Sequence, residues 1–236
     1  MAQLYAGTSG FAYPAWKPTF YPQKMPQNQF LGHYATRLNS VEINYTFRRL
    51  PNAATLANWV EHTPAGFLFA VKANQRITHI ARLKDAGEPA ELFFRMIDPL
   101  RTARRLGPVL FQLPPNLKAD IERLRDFLPL LPSDVRCAME FRHTSWLTEE
   151  VYGMLGKHNV ALCLAESEKL EIPPVITAGF VYFRLRMPEY TPDDLRAIRA
   201  NADELLAQGK DVFLYFKHEE TPDGALYAER MLTGSG

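Results

Sequence analysis

Eight short apolar segments recur along the chain, and helical patterns separate most of them. The segments are rich in Val, Phe, Tyr and Leu; in order they are QLYAGTSGF, SVEINYTF, FLFAVKAN, PVLFQLP, RCAMEF, VALCLAE, FVYFRLRM and DVFLYFKH. Their length and composition predict buried strands. Strands that alternate with helices predict a parallel sheet of the α/β class, and this alternation constrains the fold more than any other feature.

The intervening segments differ in how clearly they predict a helix. NQFLGHYATRL, NAATLANWVEH, LKADIERLRDFLPLL, SWLTEEVYGML and GALYAERML have the apolar spacing of amphipathic helices. In PAELFFRMIDPLRTARRL, Pro99 is expected to kink or divide the helix. SEKLEIPPVITAG, which follows the sixth strand, should contain little helix.

The helix before the last strand has the clearest boundaries. In TPDDLRAIRANADELLAQG, Thr191 is the expected N-cap, with Pro192 at the first helical position and Asp194 at the third. Gly209 is the expected stop.

Eight strands close a (β/α)8 TIM barrel, which usually takes ~250 residues. The chain has 236 residues and no change of composition between its halves, so we predict one TIM-barrel domain over residues 1–236. A doubly wound open sheet is the main alternative. That fold usually has a GxGxxG turn after its first strand, and GTSGF lacks this spacing.

Net charge, apolar patterning and cysteine spacing exclude several classes of function. With 27 Lys and Arg against 26 Asp and Glu, the formal charge of +1 excludes a globally basic nucleic-acid binder. The N-terminus lacks the pattern of a signal peptide, and no window approaches the ~18 apolar residues of a membrane span. Cys137 and Cys163 lie in strand-like segments without CxxC spacing, which predicts buried, reduced thiols. A cytoplasmic protein without a membrane partner is the resulting expectation.

Polar side chains stand at the ends of six predicted strands, where a TIM barrel carries its active site. These candidates are Glu42, Asn44, Lys72, Asn74, Gln112, Glu140, Arg142, Tyr182, Arg184, Arg186, Lys217 and His218. A buried charge without a partner is costly, so they should pair with one another, with water or with a ligand. A purely structural network of salt bridges is the alternative.

The charge balance of these candidates favours an anionic ligand. Two acids, Glu42 and Glu140, face a surplus of cations in a concave mouth, namely Lys72, Arg142, Arg184, Arg186 and Lys217. Arginine suits phosphate and carboxylate groups because it can donate two parallel hydrogen bonds. We predict that the cations hold the substrate and that Glu42, Glu140 and Lys72 are catalytic. A raised pKa at one of the acids would mark a general acid or base.

No cofactor is predicted. The available metal ligands are Glu42, Glu140, His79, His143 and His218, and no HxH, HxxxH or HExxH spacing occurs among them. A divalent metal is therefore an alternative that the ligand spacing does not support.

The Pro-rich segment after the first strand offers a route to nucleic acid. Its aromatic residues Tyr13, Trp16, Phe20 and Tyr21 alternate with lysines and would provide stacking faces and phosphate contacts. The alternative, which we favour, is that they pack the loop over the barrel.

Six motifs in order resemble the YecE-like family, also catalogued as domain of unknown function 72. They are GTSGFAYPAWKPTFYP, SVEINYTFRRLP, FAVKAN, FQLPPN, MEFRHTSWL and YFKHE, and they extend from about residue 4 to residue 229. The resemblance implies a TIM barrel but no reaction, since none is established for the family. Its motif positions correspond here to Gly7, Ser9, Gly10, Trp16, Glu42, Asn44, Lys72, Gln112, Pro114, Glu140, Arg142, Ser145 and Trp146. Ser9 and Trp16 thereby join the candidates for substrate binding.

The chain departs from this family pattern at two strand ends. Family members usually end strand seven with His-Gly, whereas FRLRMPEY places Arg186 at the histidine position. Strand eight commonly ends Phe-Asn-Asn, and here Lys217 and His218 replace the two asparagines. Both departures add positive charge at the mouth or move it. The family barrel has also been likened to metal-dependent DNA-repair nucleases and sugar isomerases, which is an analogy of fold.

Three hypotheses follow. The first is an enzyme, a hydrolase, isomerase or lyase, that acts on an anionic, phosphorylated substrate at the barrel mouth. The second is a nucleic-acid-binding or processing protein that uses the same basic mouth. The third is a non-catalytic barrel that binds a metabolite or a protein. The sequence leaves the oligomeric state open. We also expect Ser145 or Thr148 to cap the helix after strand five, and Trp146 to fasten that helix to the barrel.

Overall fold

A computed structural model describes residues 1–234 and places eight parallel strands in one barrel. The strands are β1 (Leu4–Thr8), β2 (Ser40–Ile43), β3 (Leu68–Lys72), β4 (Leu106–Gln112), β5 (Cys137–Glu140), β6 (Ala161–Ala165), β7 (Phe180–Leu185) and β8 (Asp211–Phe216). Each coincides with one of the eight apolar segments, with β4 beginning two residues before its segment, so the strand prediction is confirmed.

The strands follow one another around the barrel in the order β1-β8-β7-β6-β5-β4-β3-β2. Between β1 and β2 the barrel is nearly closed by a bridge between Ser9 and Glu42. The amide of Gly10 also donates to the Glu42 carbonyl at 2.8 Å. The predicted (β/α)8 TIM barrel is confirmed, and the open-sheet alternative is excluded.

Helices surround the strands, and all but α2 lie at the predicted places; α2 begins within the predicted strand segment SVEINYTF, because β2 ends at Ile43. They are α1 (Phe30–Arg37), α2 (Tyr45–Arg48), α3 (Ala53–Glu61), α4 (Gly87–Thr102), α5 (Ile121–Phe127), α6 (Glu149–Lys157), α7 (Pro192–Ala207) and α8 (Asp223–Thr233). Short 3-10 turns cover Pro14–Trp16, Gln27–Gln29, Leu128–Leu130 and Thr144–Trp146, and a π-helical turn covers Arg76–Ile80. Between β6 and β7, where every residue is described, no helix forms, as predicted.

Pro99 does not divide α4, and that part of the prediction is wrong. Because Pro99 lies in the last turn of the helix, its missing amide removes a single backbone hydrogen bond close to the natural end.

The predicted boundaries of α7 are confirmed. Thr191 Oγ1 accepts the amide of Asp194 at 3.2 Å, and Asp194 Oδ2 accepts the amide of Thr191 at 2.8 Å. Gly209 follows the helix with φ of 78°, a left-handed conformation that suits glycine.

At α6 the cap is Thr148, whose hydroxyl accepts the Val151 amide at 3.3 Å. Ser145 instead accepts the amide of Ala119 at 2.8 Å. Trp146 is fully buried, stacks on Phe141 and donates to the Leu117 carbonyl at 2.8 Å, which fastens this segment to the barrel as expected.

The barrel interior is packed at its lower levels. Inward-facing side chains there form a core of their own, made of small and aromatic residues, including Ala70, Leu110, Ala138, Tyr182 and Tyr215. The two cysteines are buried and free, as predicted. Because the interior is filled by side chains, a ligand can approach only from the carboxyl ends of the strands.

Candidate functional site

A polar layer lies directly above the apolar interior of the barrel. Its side chains belong to the next inward-facing residue along each strand. Side chains two residues apart on a strand face the same side, so Lys72 follows Ala70, Gln112 follows Leu110 and Glu140 follows Ala138. This upper layer, which we call the charged layer, comprises Ser9, Glu42, Lys72, Gln112, Glu140 and Arg184. The sequence prediction that these side chains meet at the strand ends is therefore correct in geometry.

Glu42 is completely buried at the end of β2 and has a partner on each carboxylate oxygen. Its Oε1 accepts from Ser9 Oγ at 2.6 Å and from Arg184 Nη2 at 2.6 Å. Its Oε2 accepts from Tyr182 OH at 2.7 Å. Glu42 thus connects β1, β2 and β7.

Glu140 is equally buried at the end of β5. Its Oε1 accepts from Gln112 Nε2 at 2.8 Å and from Arg186 Nη2 at 3.0 Å. Its Oε2 accepts from Arg184 Nη1 at 2.7 Å. The buried guanidinium of Arg184 therefore bridges the two carboxylates with separate nitrogens.

This pairing fixes the ionisation of both acids. Burial opposes the charged form, but Arg184 and the surrounding donors outweigh it and hold the pKa of Glu42 below its usual value. At Glu140, Arg184, Arg186 and Gln112 overcome the effect of burial and lower the pKa to about 2. The raised pKa that would mark a general acid is found at neither residue. Both are carboxylates at neutral pH.

Lys72, unlike the two acids, has a pKa that is shifted towards neutral pH. Its Nζ donates to Gln112 Oε1 at 2.8 Å and lies 4.2 Å from the centre of the Phe47 ring. Burial, reinforced by Arg184 and Arg186 and opposed by Glu140 and Glu42, lowers the pKa of Lys72 to about 8. A group with this pKa can accept and return a proton near neutral pH.

Two further arginines stand between the charged layer and solvent. Arg186 lies 3.0 Å from Glu140 and is 17% exposed, while Arg142 lies 3.7 Å from the same carboxylate and is 42% exposed. The buried Nε of Arg186 has no hydrogen-bond partner within residues 1–234. Two carboxylates therefore face four cationic side chains, and the cations nearest solvent have donors to spare.

The sequence reasoning missed Glu166, at the end of β6. Its Oε2 accepts from the amides of Arg186 at 2.5 Å and Met187 at 3.1 Å, and from the hydroxyl of Tyr190. It thereby fixes the backbone from which the Arg186 side chain reaches Glu140. Its position at the end of the segment VALCLAE was the one available signal.

Of the two predicted ligand-binding asparagines, Asn74 is fully engaged, whereas the buried Oδ1 of Asn44 has no hydrogen-bond partner within residues 1–234. Asn74 donates to the Thr46 carbonyl at 2.9 Å and accepts the Arg76 amide at 3.0 Å, so it orders the loops after β2 and β3. Asn44 lies at the edge of the charged layer, 3.4 Å from Glu42 Oε1.

Lys217 and His218 lie outside the charged layer. Lys217 is about half exposed and 3.8 Å from Glu219. His218 Nε2 is 3.1 Å from the Pro188 carbonyl oxygen, and its ring packs against Tyr190 and Tyr227. The chain leaves the barrel after Phe216, so the strand alternation no longer directs these side chains inward.

The loop after β1 packs its aromatic residues over the barrel. Trp16 and Tyr21 are fully buried, and Phe20 is 2% exposed between them. Trp16, Phe20 and Tyr21 therefore agree with the packing alternative, whereas Tyr13 is only partly buried, and the nucleic-acid hypothesis stays a prediction. The ring of Trp16 packs against Tyr13, Phe20 and Tyr21, and its role in substrate binding stays a prediction.

Neither a metal cluster nor a membrane helix is found in the part of the chain that the structure describes. Over residues 1–234, no three His, Cys, Asp or Glu side chains are grouped so that they could hold a metal ion. Within the same residues, no helix combines the length and the apolar character needed to span a bilayer.

A parallel eight-stranded barrel with a charged layer at the carboxyl ends of its strands defines this chain as a TIM-barrel protein. The pattern of the family described as "Protein of unknown function DUF72" matches residues 5–236. The chain belongs to that family, which confirms the resemblance inferred from the six motifs.

Relatives of known sequence or structure agree with this assignment. The UPF0759 protein YunF of Bacillus subtilis is 25% identical over 267 residues, which cover 97% of this chain and 93% of YunF. The crystal structure of a DUF72 family protein from Thermotoga maritima is 28% identical, with a TM-score of 0.87 over 98% of both chains. An AP endonuclease of family 2 from Brucella melitensis is 10% identical, with a TM-score of 0.60 over 100% of this chain and 99% of its own, a likeness of fold alone.

Proposed function

We propose that the protein is an enzyme acting on an anionic, phosphorylated substrate at the barrel mouth. The observation that carries the proposal is the excess of cations over carboxylates around Glu140, where Arg142 and Arg186 approach from the solvent side and Lys72 lies beside them, bonded to Gln112. In a concave site of low dielectric, such a surplus attracts and orients an anion. Arg142 and Arg186 would hold the phosphate, since guanidinium groups match its geometry.

We assign catalytic roles to the acids and to Lys72 according to the charge that each carries near neutral pH. Glu42 and Glu140 are held as carboxylates by Arg184, so we assign them the task of neutralising and positioning that arginine. Lys72 is the proton carrier in this proposal. With a pKa of about 8, roughly a tenth of its amines are neutral at pH 7. The neutral amine can remove a proton from carbon, and the ammonium form can protonate a leaving oxygen, as a lyase, isomerase or hydrolase requires.

Binding of methyl phosphate tests the anion site. Isothermal titration at low salt should detect one site per chain, and Arg142→Met should weaken binding about tenfold or more through loss of a charged hydrogen bond. The matched control is Arg95→Met on α4, since Arg95 is 67% exposed and its nearest carboxylate is 3.7 Å away. Equal affinities in the wild type and both variants would place the anion elsewhere.

The pH dependence of that binding tests Lys72. A phosphate monoester has its second pKa near ~6, so methyl phosphate is a dianion above pH 7. As pH rises through about 8, Lys72 loses its proton and affinity for the dianion should fall. Lys72→Met should bind more weakly at pH 7 and show a flat profile up to pH 9.5. A wild-type profile without a fall in this range would contradict the assignment.

A further inference from the structure

The missing helix between β6 and β7 leaves a groove on the outer face of the barrel. Leu164, Phe183 and Leu214 occupy equivalent positions on three adjacent strands and so point the same way, outward, away from Arg184. In a (β/α)8 barrel a helix normally covers such a row. Here the irregular segment 166–178 spans it, and Leu164 and Phe183 are only partly buried.

A cavity of about 1120 Å³ occupies this groove. Its walls are the row of apolar strand residues, the segment after β6, and Ile198 and Asn201 of α7. At its upper end the lining includes Arg142 and Arg186, the same arginines that stand over Glu140. The cavity is therefore continuous with the barrel mouth.

Size and polarity define what the cavity can hold. Its volume is above the usual ~300–1000 Å³ of small-molecule pockets and far exceeds what a phosphate group needs. Cationic side chains stand at one end, and apolar side chains line the body of the groove. Glu168, Lys169 and Glu171 of the covering segment also line the cavity, and all three are solvent-exposed, so the apolar surface is mainly the one formed by the strands and α7.

We propose that the substrate is an amphiphilic anion, a phosphate ester whose alkyl or acyl chain lies in the groove between the segment 166–178 and α7. The proposal rests on the function proposed for the mouth, and it adds the chemical class of the substrate. The phosphate binds at Arg142 and Arg186, and the chain passes outward over the end of β6 along Leu164 and Phe183. The missing helix thus determines substrate specificity.

Titration with alkyl phosphates of increasing length tests the groove. Methyl, butyl and hexyl phosphate are compared below their micelle concentrations. Each methylene removed from water tightens binding up to about fourfold, so hexyl phosphate should bind ~30-fold or more tighter than methyl phosphate.

Asn201→Trp should fill the groove and reduce that ratio to about threefold or less, because the added indole takes the place of the chain. Affinity for methyl phosphate should stay unchanged. Asn201 is an exposed position of α7, so the variant is expected to fold, and Ile198→Trp fills the same cavity from the preceding turn. The control is Asn58→Trp, the same substitution at an exposed position of α3 that is remote from the cavity lining.

The outcomes separate the two proposals. If methyl phosphate binds and chain length has no effect, the groove proposal is overturned while the anion site stands. A chain-length effect that persists in both Asn201→Trp and Ile198→Trp also overturns it, because the chain then binds elsewhere. If no alkyl phosphate binds, both proposals fail.

Discussion

Replacement of Arg184 by Met is expected to lower the free energy of unfolding at pH 7 by about 3–5 kcal/mol, the cost of breaking a buried ion pair by removing one partner. Arg184 is 3% exposed and bridges Glu42 and Glu140, which lie 2.6 and 2.7 Å from its nitrogens. Methionine fills a similar volume but leaves two buried carboxylates without their shared cation.

The effect should depend on pH in a defined direction. In the wild type both carboxyl pKa values are lowered, so their stabilising contribution is present above the unfolded value of 4.5 and is lost only at strong acidity. Without Arg184, burial should raise the pKa of these carboxyls, most strongly at Glu42, because Glu140 keeps Arg186 and Gln112. The variant should therefore be most stable near pH 4 and lose stability as pH rises through the raised pKa.

Urea denaturation at pH 7 and pH 4 measures this difference. The control is Arg142→Met, in which a half-exposed arginine 3.7 Å from Glu140 is removed at an expected cost below about 1 kcal/mol. A loss at Arg184 that is small, or equal at the two pH values, would show that the charged layer is not held together by this residue.

Gly7→Ala is expected to destabilise the protein by about 3 kcal/mol or more through overpacking. A Cβ at Gly7 would overlap the backbone carbonyl oxygen of Ser40 and lie 2.8 Å from Tyr34 OH. Ser40 is on β2, which meets β1 through the single bridge between Ser9 and Glu42. To admit the methyl group the two strands must separate, and this would pull Glu42 away from Arg184.

Thermal and urea denaturation of two Gly→Ala variants isolates this effect. Gly153 lies within α6 and has nothing within 4 Å of the position a Cβ would take. Gly153→Ala should therefore stabilise the protein by roughly 0.5–1 kcal/mol, because alanine favours the helix. Similar effects of the two substitutions would contradict the close approach of β1 and β2.

Local patterns of the sequence were enough to predict the architecture. Apolar segments six to nine residues long, separated by amphipathic helices, specify buried parallel strands, and their number specifies closure. Alternation along each strand also placed Lys72, Gln112, Glu140 and Arg184 on the inward side. The N-cap of α7 was readable for the same reason, since Thr191 and Asp194 act on their own helix end.

The sequence predicted side-chain positions less accurately for residues that lie beyond the ends of the strands. Lys217 and His218 continue the β8 segment in sequence, but the barrel stops at Phe216 and the side chains turn to other neighbours. Trp16 belongs to a motif of the family, and the sequence carried no signal for whether its ring faces the mouth or the packed loop. Glu166 was passed over because its partners, Arg186 and Tyr190, lie at least twenty residues away.

The sequence by itself therefore determined which residues point into the barrel and at which end, because both are set by periods of two and 3.6 along a single segment. The tertiary structure alone decided which of them pair, and with what ionisation. Glu42 meets Tyr182 and Arg184 across 140 and 142 positions of chain, and those contacts lower its pKa although burial alone would raise it. The charge state of a buried acid depends on partners that barrel closure brings together. Because these partners are far apart in the sequence, no local pattern can predict the contact.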